Sequence, residues 1–386
     1  MIYLDNAATT VTKPEAVVQA VSDALRSFGN AGRGVHESSL LATRAIHETR
    51  IAAADFFHAA DPACVAFTSN ATEALNTAIK GILSPGDHVI TTASEHNSVL
   101  RPLYETEARG VSLTILPVDA YGNISFDDLA SALKKKTKAV ICSGASNVTG
   151  NLRDVRGIAA AAHARDALFV LDAAQIAGCH PVDLQSDGID ILCFTGHKSL
   201  FGPQGTGGII VREGLALRPL KSGGSGMQSF SKTHPEQMPA ALEAGTLNGH
   251  GLAGLHAAFC FLKETGQDNI RHQALALAKR FFEGVKDIPD IRFYGDYSDW
   301  DARCPIVALN LGEEDAALVS DTLSADYGIA TGAGAHCAPL MHEALGTVTQ
   351  GIVRFSFSFF NTEAETDAAI LALRNIATAR RQEARP

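Results

Sequence analysis

At 386 residues the chain is longer than one hydrophobic core usually organises, and 46% hydrophobic against 19% charged residues describes a well-packed protein of two domains. A formal net charge of -10 argues against a nucleic-acid or anionic-membrane surface, both of which need clustered Lys and Arg, and favours small-molecule chemistry. The opening MIYLDNAATT has Asp5 and Asn6 where a secretory signal needs a basic end and an apolar run, and no stretch is apolar for the roughly 18 residues of a membrane span. A cytoplasmic protein is expected. Seven cysteines (64, 142, 179, 193, 260, 304 and 337) form no CxxC pair, and several sit in apolar runs, so a disulfide scaffold is not expected.

From residue 64 to 212, short apolar runs alternate with amphipathic stretches: CVAFT, HVITT, SLTILPV, KAVICSG, ALFVLDA, IDILCF and GGIIV. This rhythm predicts a largely parallel sheet covered on both faces. One intervening helix should begin at Ala71, where Ala71, Leu75, Ala78, Ile79 and Ile82 keep helical spacing until SPGD. Another should begin at Ser125, with Asp127 and Asp128 in its first turn, and run to the lysines at 134–136. Residues 213–250 turn polar and Gly-rich and read as an excursion across an interface. HGLAGLHAAFCFLKETG then reads as a helix leading into a second domain of helices and a smaller sheet. The expected division is 14–252 for the large domain and 253–386, with 1–13, for the small one. The tail RRQEARP is expected to fray.

Four strand ends carry groups with chemical potential. Asp172 closes ALFVLDA, where an unpaired buried carboxylate would be costly and a cationic partner is expected. Lys198 follows His197 in TGHKSLFGPQGTGG, whose glycines let the loop fold around a lysine that desolvation could make nucleophilic. Ser69, Asn70, Ala71 and Thr72 fall at a helix start suited to a phosphate. His96 of SEHNSVL follows a strand and is placed to lie against a planar ring. Each has a plainer reading as a cap, a surface pair or a packed side chain. Together at one edge of one sheet, where ligands of open sheets collect, they fit pyridoxal 5'-phosphate, which needs a lysine, an acid and an anion seat.

These segments carry a resemblance. GRGVHESS (32–39), SNATEALN, SEHNSVLRP, SNVTG (146–150), LDAAQ, TGHK, LEAGTLN (242–248) and AHCAP, in this order between YLDNAATT and VRFSFSFFNT, resemble the class V aminotransferase group of fold-type I PLP enzymes, and within it the cysteine desulfurases and selenocysteine lyases. The resemblance implies an α/β fold with a mainly parallel seven-stranded sheet in the large domain and a smaller α+β C-terminal domain. It implies Lys198 as the amine bonded to the cofactor aldehyde, Asp172 on the pyridine nitrogen, Gln175 on the ring hydroxyl and His96 over the ring. Phosphate contacts would come from Ala71, Thr72, Thr195 and His197, with Thr246 supplied by the other subunit of a homodimer. Asn147 would lie beside the cofactor, Arg354 would hold the substrate carboxylate, and Ala8 would border the substrate.

In the desulfurases the position of Cys337 carries the nucleophile that takes sulfur from L-cysteine and becomes a persulfide. The ATGAGAHCAPLMH segment reads as a pliable loop suited to a travelling thiol, with a protonated His336 able to lower its pKa. Many relatives have Arg near position 332, where this chain has Gly332. The implied reaction is L-cysteine to L-alanine, or its selenium analogue, with delivery to a sulfur-acceptor protein. Three other readings remain: an aminotransferase, epimerase or β-lyase on the same fold, a PLP-fold protein that binds without turnover, and a metal site of His336, Cys337 and His342.

Overall fold

In the computed structural model, residues 1–32 and 34–383 are described; Arg33 of GRGVHESS and residues 384–386 of the tail lie outside the described residues. The chain begins with β1 (Ile2–Tyr3), α1 (Glu15–Ser27) and α2 (Glu37–Phe56). Strand and helix then alternate through β2 (Val65–Thr68), α3 (Ala71–Ile82), β3 (His88–Thr92), α4 (Asn97–Glu107), β4 (Ser112–Leu116), α5 (Phe126–Ala132), β5 (Thr137–Ser143), α6 (Val155–His163) and β6 (Leu168–Asp172), after which β7 (Ile191–Thr195) and β8 (Gly207–Val211) follow. The seven apolar runs become seven strands of one sheet, in the order β2-β8-β7-β6-β5-β3-β4. Its pairs are parallel except where β8 lies antiparallel between β2 and β7. Every residue of β2, β3, β7 and β8 is buried, the consequence of helices on both faces.

The second half contains α7 (Gly249–Thr265), α8 (Gln267–Val285), β9 (Ile291–Tyr294), β10 (Ile306–Leu311), α9 (Ala316–Tyr327), β11 (Ile329–Ala330), β12 (Gly332–Gly334), α10 (Pro339–Leu345), β13 (Ile352–Ser356) and α11 (Glu363–Glu383). β12-β13-β10-β9 form a separate antiparallel sheet, and β1 pairs in parallel with β11, which ties the N-terminus to this half. Leu252, Leu255, Phe259 and Leu262 of α7 join the apolar cluster of the large sheet, and the helix is continuous across residues 252 and 253.

Two element ends differ from expectation. α5 stops at Ala132, short of the lysines, because Leu133 turns extended to bury its side chain and the Lys134 amide is bonded by Thr137 Oγ1 at 2.8 Å. α11 extends to Glu383, so the tail is helical through its first four residues. No helix among the described residues is long and apolar enough to cross a membrane.

Candidate active site

Parallel pairing aligns the carboxyl ends of the central strands, and each end presents a polar group: Ser143 on β5, Asp172 on β6 and Thr195 on β7, with Ser143 and Asp172 in direct register. These ends open into a cavity of about 490 Å³. Ala8, Ala71, Thr72, His96, Asn147, Gln175, His197, Lys198, Cys337 and Arg354 border it as well. Most of the residues singled out in the sequence therefore border one cavity. Thr246 is the exception: in this chain it borders clefts with Glu243 and Leu247 and does not reach the Lys198 cavity. A larger cavity of about 750 Å³ lies at the opposite strand ends, but its buried carboxylate is already satisfied, Asp190 accepting from His163 and Arg212 at 2.8 and 2.6 Å. We place the chemistry at the smaller cavity, where polar groups are left free.

Lys198 occupies the turn after β7. That turn is closed by Gly202 N–H donating to the Gly196 carbonyl at 2.7 Å, and a Cβ at Gly196 would lie 2.2 Å from Thr206 Oγ1, so glycine is required there by close approach. The His197 carbonyl accepts from the Thr10 amide at 3.1 Å and from Lys13 Nζ at 2.9 Å, which pins the peptide preceding Lys198. Burial, reinforced by the Arg354 guanidinium, pulls the Lys198 ammonium down to about 8 against the opposing charge of Asp172. Burial also pushes the Asp172 carboxyl above its ordinary range, although the Ala174 amide donates to it at 2.9 Å and Lys198 opposes the shift.

His96 caps α4, its Nδ1 accepting from the Ser98 amide at 3.0 Å, and burial with nearby Lys198, Arg101 and Arg354 holds it down to about 4. Ser98 Oγ lies 2.8 Å from His96 Nδ1 and 2.7 Å from Thr72 Oγ1, so one hydroxyl joins the cavity-lining histidine to the first turn of α3. Asn70 caps α3 through the Glu73 amide at 3.0 Å, which leaves the first-turn amides of Ala71 and Thr72 without helical partners. His197 Nδ1 is 3.0 Å from Thr9 Oγ1, and burial lowers this imidazole to about 4. Gln175 directs its amide nitrogen to the Ala7 carbonyl at 3.1 Å.

On the facing wall, Arg354 of β13 donates to Asp5 Oδ1 at 2.8 Å and to the Asn147 carbonyl at 2.9 Å. Cys337 is exposed, the most accessible of the cysteines, and five others are buried. The surrounding segment is not the pliable loop that its glycines predict. Gly332 and Gly334 belong to β12, paired with Arg354 and Ile352 of β13, and only residues 335–338 form a turn before α10. His336 and Cys337 adopt φ of 48° and 56°, a left-handed conformation rare outside glycine. The turn is fixed by Asn147 Nδ2 donating to the His336 carbonyl at 2.7 Å and the Asn97 amide donating to the Cys337 carbonyl at 2.7 Å. The condition for His336 to lower the thiol pKa, a protonated ring, is not favoured: its Nε2 is bonded to the Ile352 carbonyl at 2.9 Å, and burial with Arg354 nearby holds it down to about 3. No three-ligand metal cluster forms among the described residues.

The side chains that sequence reasoning missed are partners of those it found. Glu95, fully buried, accepts from Thr92 Oγ1 at 2.6 Å and from the Ser143 amide and hydroxyl at 2.8 and 2.6 Å, and so locks the strand before His96 to the strand beside Asp172. Its place next to His96 in SEHNS was the available signal. Asp5 had no signal beyond its motif, since its partner is 349 residues away. Gly332 is explained by the same pair: a Cβ there would lie 2.7 Å from Asp5 Oδ1 and 3.2 Å from Arg354 Nη2.

A buried lysine and carboxylate at the strand ends of such a sheet, faced by an arginine from a second, antiparallel sheet, make an enzyme-like site, and the chain belongs to the class V aminotransferase family: the Aminotransferase class-V model matches residues 2–369. Among its relatives is a probable cysteine desulfurase of Methanothermobacter thermautotrophicus, 33% identical over 94% of this chain and 92% of the relative. The apo cysteine desulfurase of Thermococcus onnurineus superposes with a TM-score of 0.90 at 30% identity, over 98% of this chain and 95% of that one. The Escherichia coli cysteine desulfurase CsdA, solved as an S-sulfonic acid, gives 0.88 at 29% identity over 98% and 94%.

Proposed function

We propose that this protein is a pyridoxal phosphate-dependent cysteine desulfurase that converts L-cysteine to L-alanine and retains the sulfur on Cys337. The observation that carries the reading is a solvent-exposed thiol bordering the same cavity as a buried lysine. The fit of the cofactor rests on orphaned polar atoms: Thr195 Oγ1, Asn147 Oδ1 and Arg354 Nε are buried at the cavity with no hydrogen-bond partner, and such groups are costly unless a ligand satisfies them. Lys198 would bond the aldehyde, Asp172 would meet the ring nitrogen and Gln175 the ring hydroxyl, and His96 would lie against the ring. The phosphate would rest on the amides of Ala71 and Thr72, with Thr195 and His197. When bound, the cofactor supplies an electron sink for a negative charge on the substrate α carbon.

Each protein group then has a task. Arg354, already oriented by Asp5, receives the substrate carboxylate, for which its planar fork is suited, beside Asn147 and Ala8. The Lys198 amine, held near 8 by burial, takes the α proton and later returns a proton to the product carbon. The Cys337 thiolate attacks the substrate sulfur: the carbon–sulfur bond breaks as a sulfur–sulfur bond forms, so one thiol and one cysteine become one persulfide and one alanine. Selenocysteine offers the same geometry. A cytoplasmic homodimer that passes sulfur to an acceptor protein completes the reading. Thr246 standing outside this chain's own cavity supports the dimer, as does an exposed polar segment with Phe230 fully in solvent.

The deciding experiment measures alanine, sulfide and pyruvate formed from L-cysteine in the presence of a reductant. Equal alanine and sulfide, with Cys337→Ala lowering sulfide release about a hundredfold or more while the bound cofactor is retained, supports the proposal. Pyruvate would make the protein a β-lyase, and no product with retained cofactor a binder.

A further inference from the structure

Arg303 is 2% exposed and is the largest of the fully buried side chains, yet it lies outside the cavity. Its charge is met without a hydrogen-bonded carboxylate among the described residues. Nη2 donates to the Thr149 and Ile306 carbonyls at 2.7 and 3.1 Å, and Nη1 to Asn151 Oδ1 at 3.0 Å and to the Asp296 carbonyl. The guanidinium carbon lies 3.7 Å from the Tyr297 ring centroid and 5.6 Å from that of Trp300. A cation buried in this way is costly, and removing either side of such an arrangement leaves uncompensated polar groups.

Two of these acceptors belong to the 146–151 segment after β5, the others to the small-sheet half. The same segment is also held by the Cys304 amide, which donates to the Gly150 carbonyl at 2.7 Å. Asn147 lies two residues before Thr149. It accepts Arg354 Nη1 on its carbonyl at 2.9 Å and donates its amide to the His336 carbonyl, next to Cys337, at 2.7 Å. A path of direct hydrogen bonds therefore runs from Arg303 through one short segment to both Arg354 and the Cys337 turn.

We infer that Arg303 is a positioning residue for sulfur transfer, clamping the 146–151 segment so that Asn147 holds the Cys337 turn in its left-handed form. Arg303 touches neither the cavity nor the thiol, and Arg354 keeps its separate bond to Asp5, so the effect falls on the Cys337 turn more than on substrate binding. This inference rests on the proposed role of Cys337, but its primary readout does not. Arg303→Lys keeps the charge and loses the fork; Asn151→Ala removes one acceptor without removing the buried cation.

The test uses holoenzyme and measures the rate of iodoacetamide alkylation at Cys337 by peptide mapping, alongside kcat and KM for L-cysteine. In Arg303→Lys, kcat should fall about tenfold with KM within about twofold, and the alkylation rate should change at least about threefold. In an Asn147→Ala background, Arg303→Lys should leave alkylation unchanged further, since the path is already cut. If Arg303→Lys fails to fold, Asn151→Ala should show the same pattern at smaller size. Unchanged alkylation and kcat with only a lowered melting temperature, or effects that add fully in the Asn147→Ala background, would overturn the inference. A parent enzyme that forms no persulfide but shows the coupled alkylation would instead remove the proposed function and leave the clamp standing.

Discussion

Lys198, Asp172 and Thr195 sit at the ends of strands buried on both faces, whereas Cys337 sits on a left-handed turn at the rim of a four-stranded sheet, exposed to solvent. On the first wall, burial is the dominant influence on each shifted group, lowering Lys198, His96 and His197 and raising Asp172. On the second, burial likewise lowers His336, but the Cys337 turn itself is set by backbone geometry and by two amide donors. Left-handed conformation costs roughly 1 kcal/mol or more per non-glycine residue, and the bonds from Asn97 and Asn147 offset it. Proton transfer benefits from a dry, electrostatically tuned wall. Handing sulfur to a partner requires an accessible one, and the cavity has both.

Removing the defining group of the dry wall should have the largest effect. Lys198→Ala should lower alanine formation by about four orders of magnitude, measured as kcat, because no other group bordering the cavity is a lysine. A loss of less than tenfold would mean the proton is moved from the other wall.

Gly332→Ala sharpens the comparison at the seam. Its Cβ would approach Asp5 Oδ1 to 2.7 Å, Arg354 Nη2 to 3.2 Å and His336 Cε1 to 3.3 Å, and so disturb the carboxylate-binding arginine without touching the strand ends. KM for L-cysteine should rise about tenfold with kcat changed far less. Equal losses in both would show that the seam also governs the chemical step.

The smallest effect is a pH dependence of stability. With a folded pKa of about 3 against an ordinary 6.5, His336 stays neutral in the native protein while the unfolded chain takes up a proton as pH falls below 6.5. Its contribution to stability is therefore complete above pH 6.5 and is lost progressively as pH falls toward 3. His336→Asn, which tolerates the left-handed backbone, should unfold in denaturant with a shallower loss of stability between pH 6.5 and 4.5 than the parent. The raised pKa values of Asp172 and Glu95 are common to both proteins and cancel in the difference. Parallel curves would place a charge on His336 and reopen its role toward the thiol.

Much of the dry wall was legible in the sequence because its grammar is local. Continuous apolar runs mark buried parallel strands, and the residues closing them, Asp172 and the Thr195 to Lys198 turn, fall at the shared edge by topology. The other wall was less legible. Nothing local tells that ATGAGAHCAP supplies a strand before its turn, because β12 exists only through pairing with β13, nearly 20 residues later. Asp5 with Arg354, Glu95 with Ser143, and Arg303 with Thr149 are likewise contacts between distant segments, and a charged residue read alone defaults to the surface. The state of His336 was not legible for the same reason, since its ring partner is a β13 carbonyl and not a neighbour in sequence.

The most direct test of the account is to incubate the holoenzyme with one equivalent of L-cysteine, without reductant, and to weigh the tryptic peptide that contains Cys337. The account predicts a peptide heavier by one sulfur atom, formed in step with one alanine and reversed by a thiol reductant. Alanine or pyruvate appearing while that peptide keeps its original mass would contradict it.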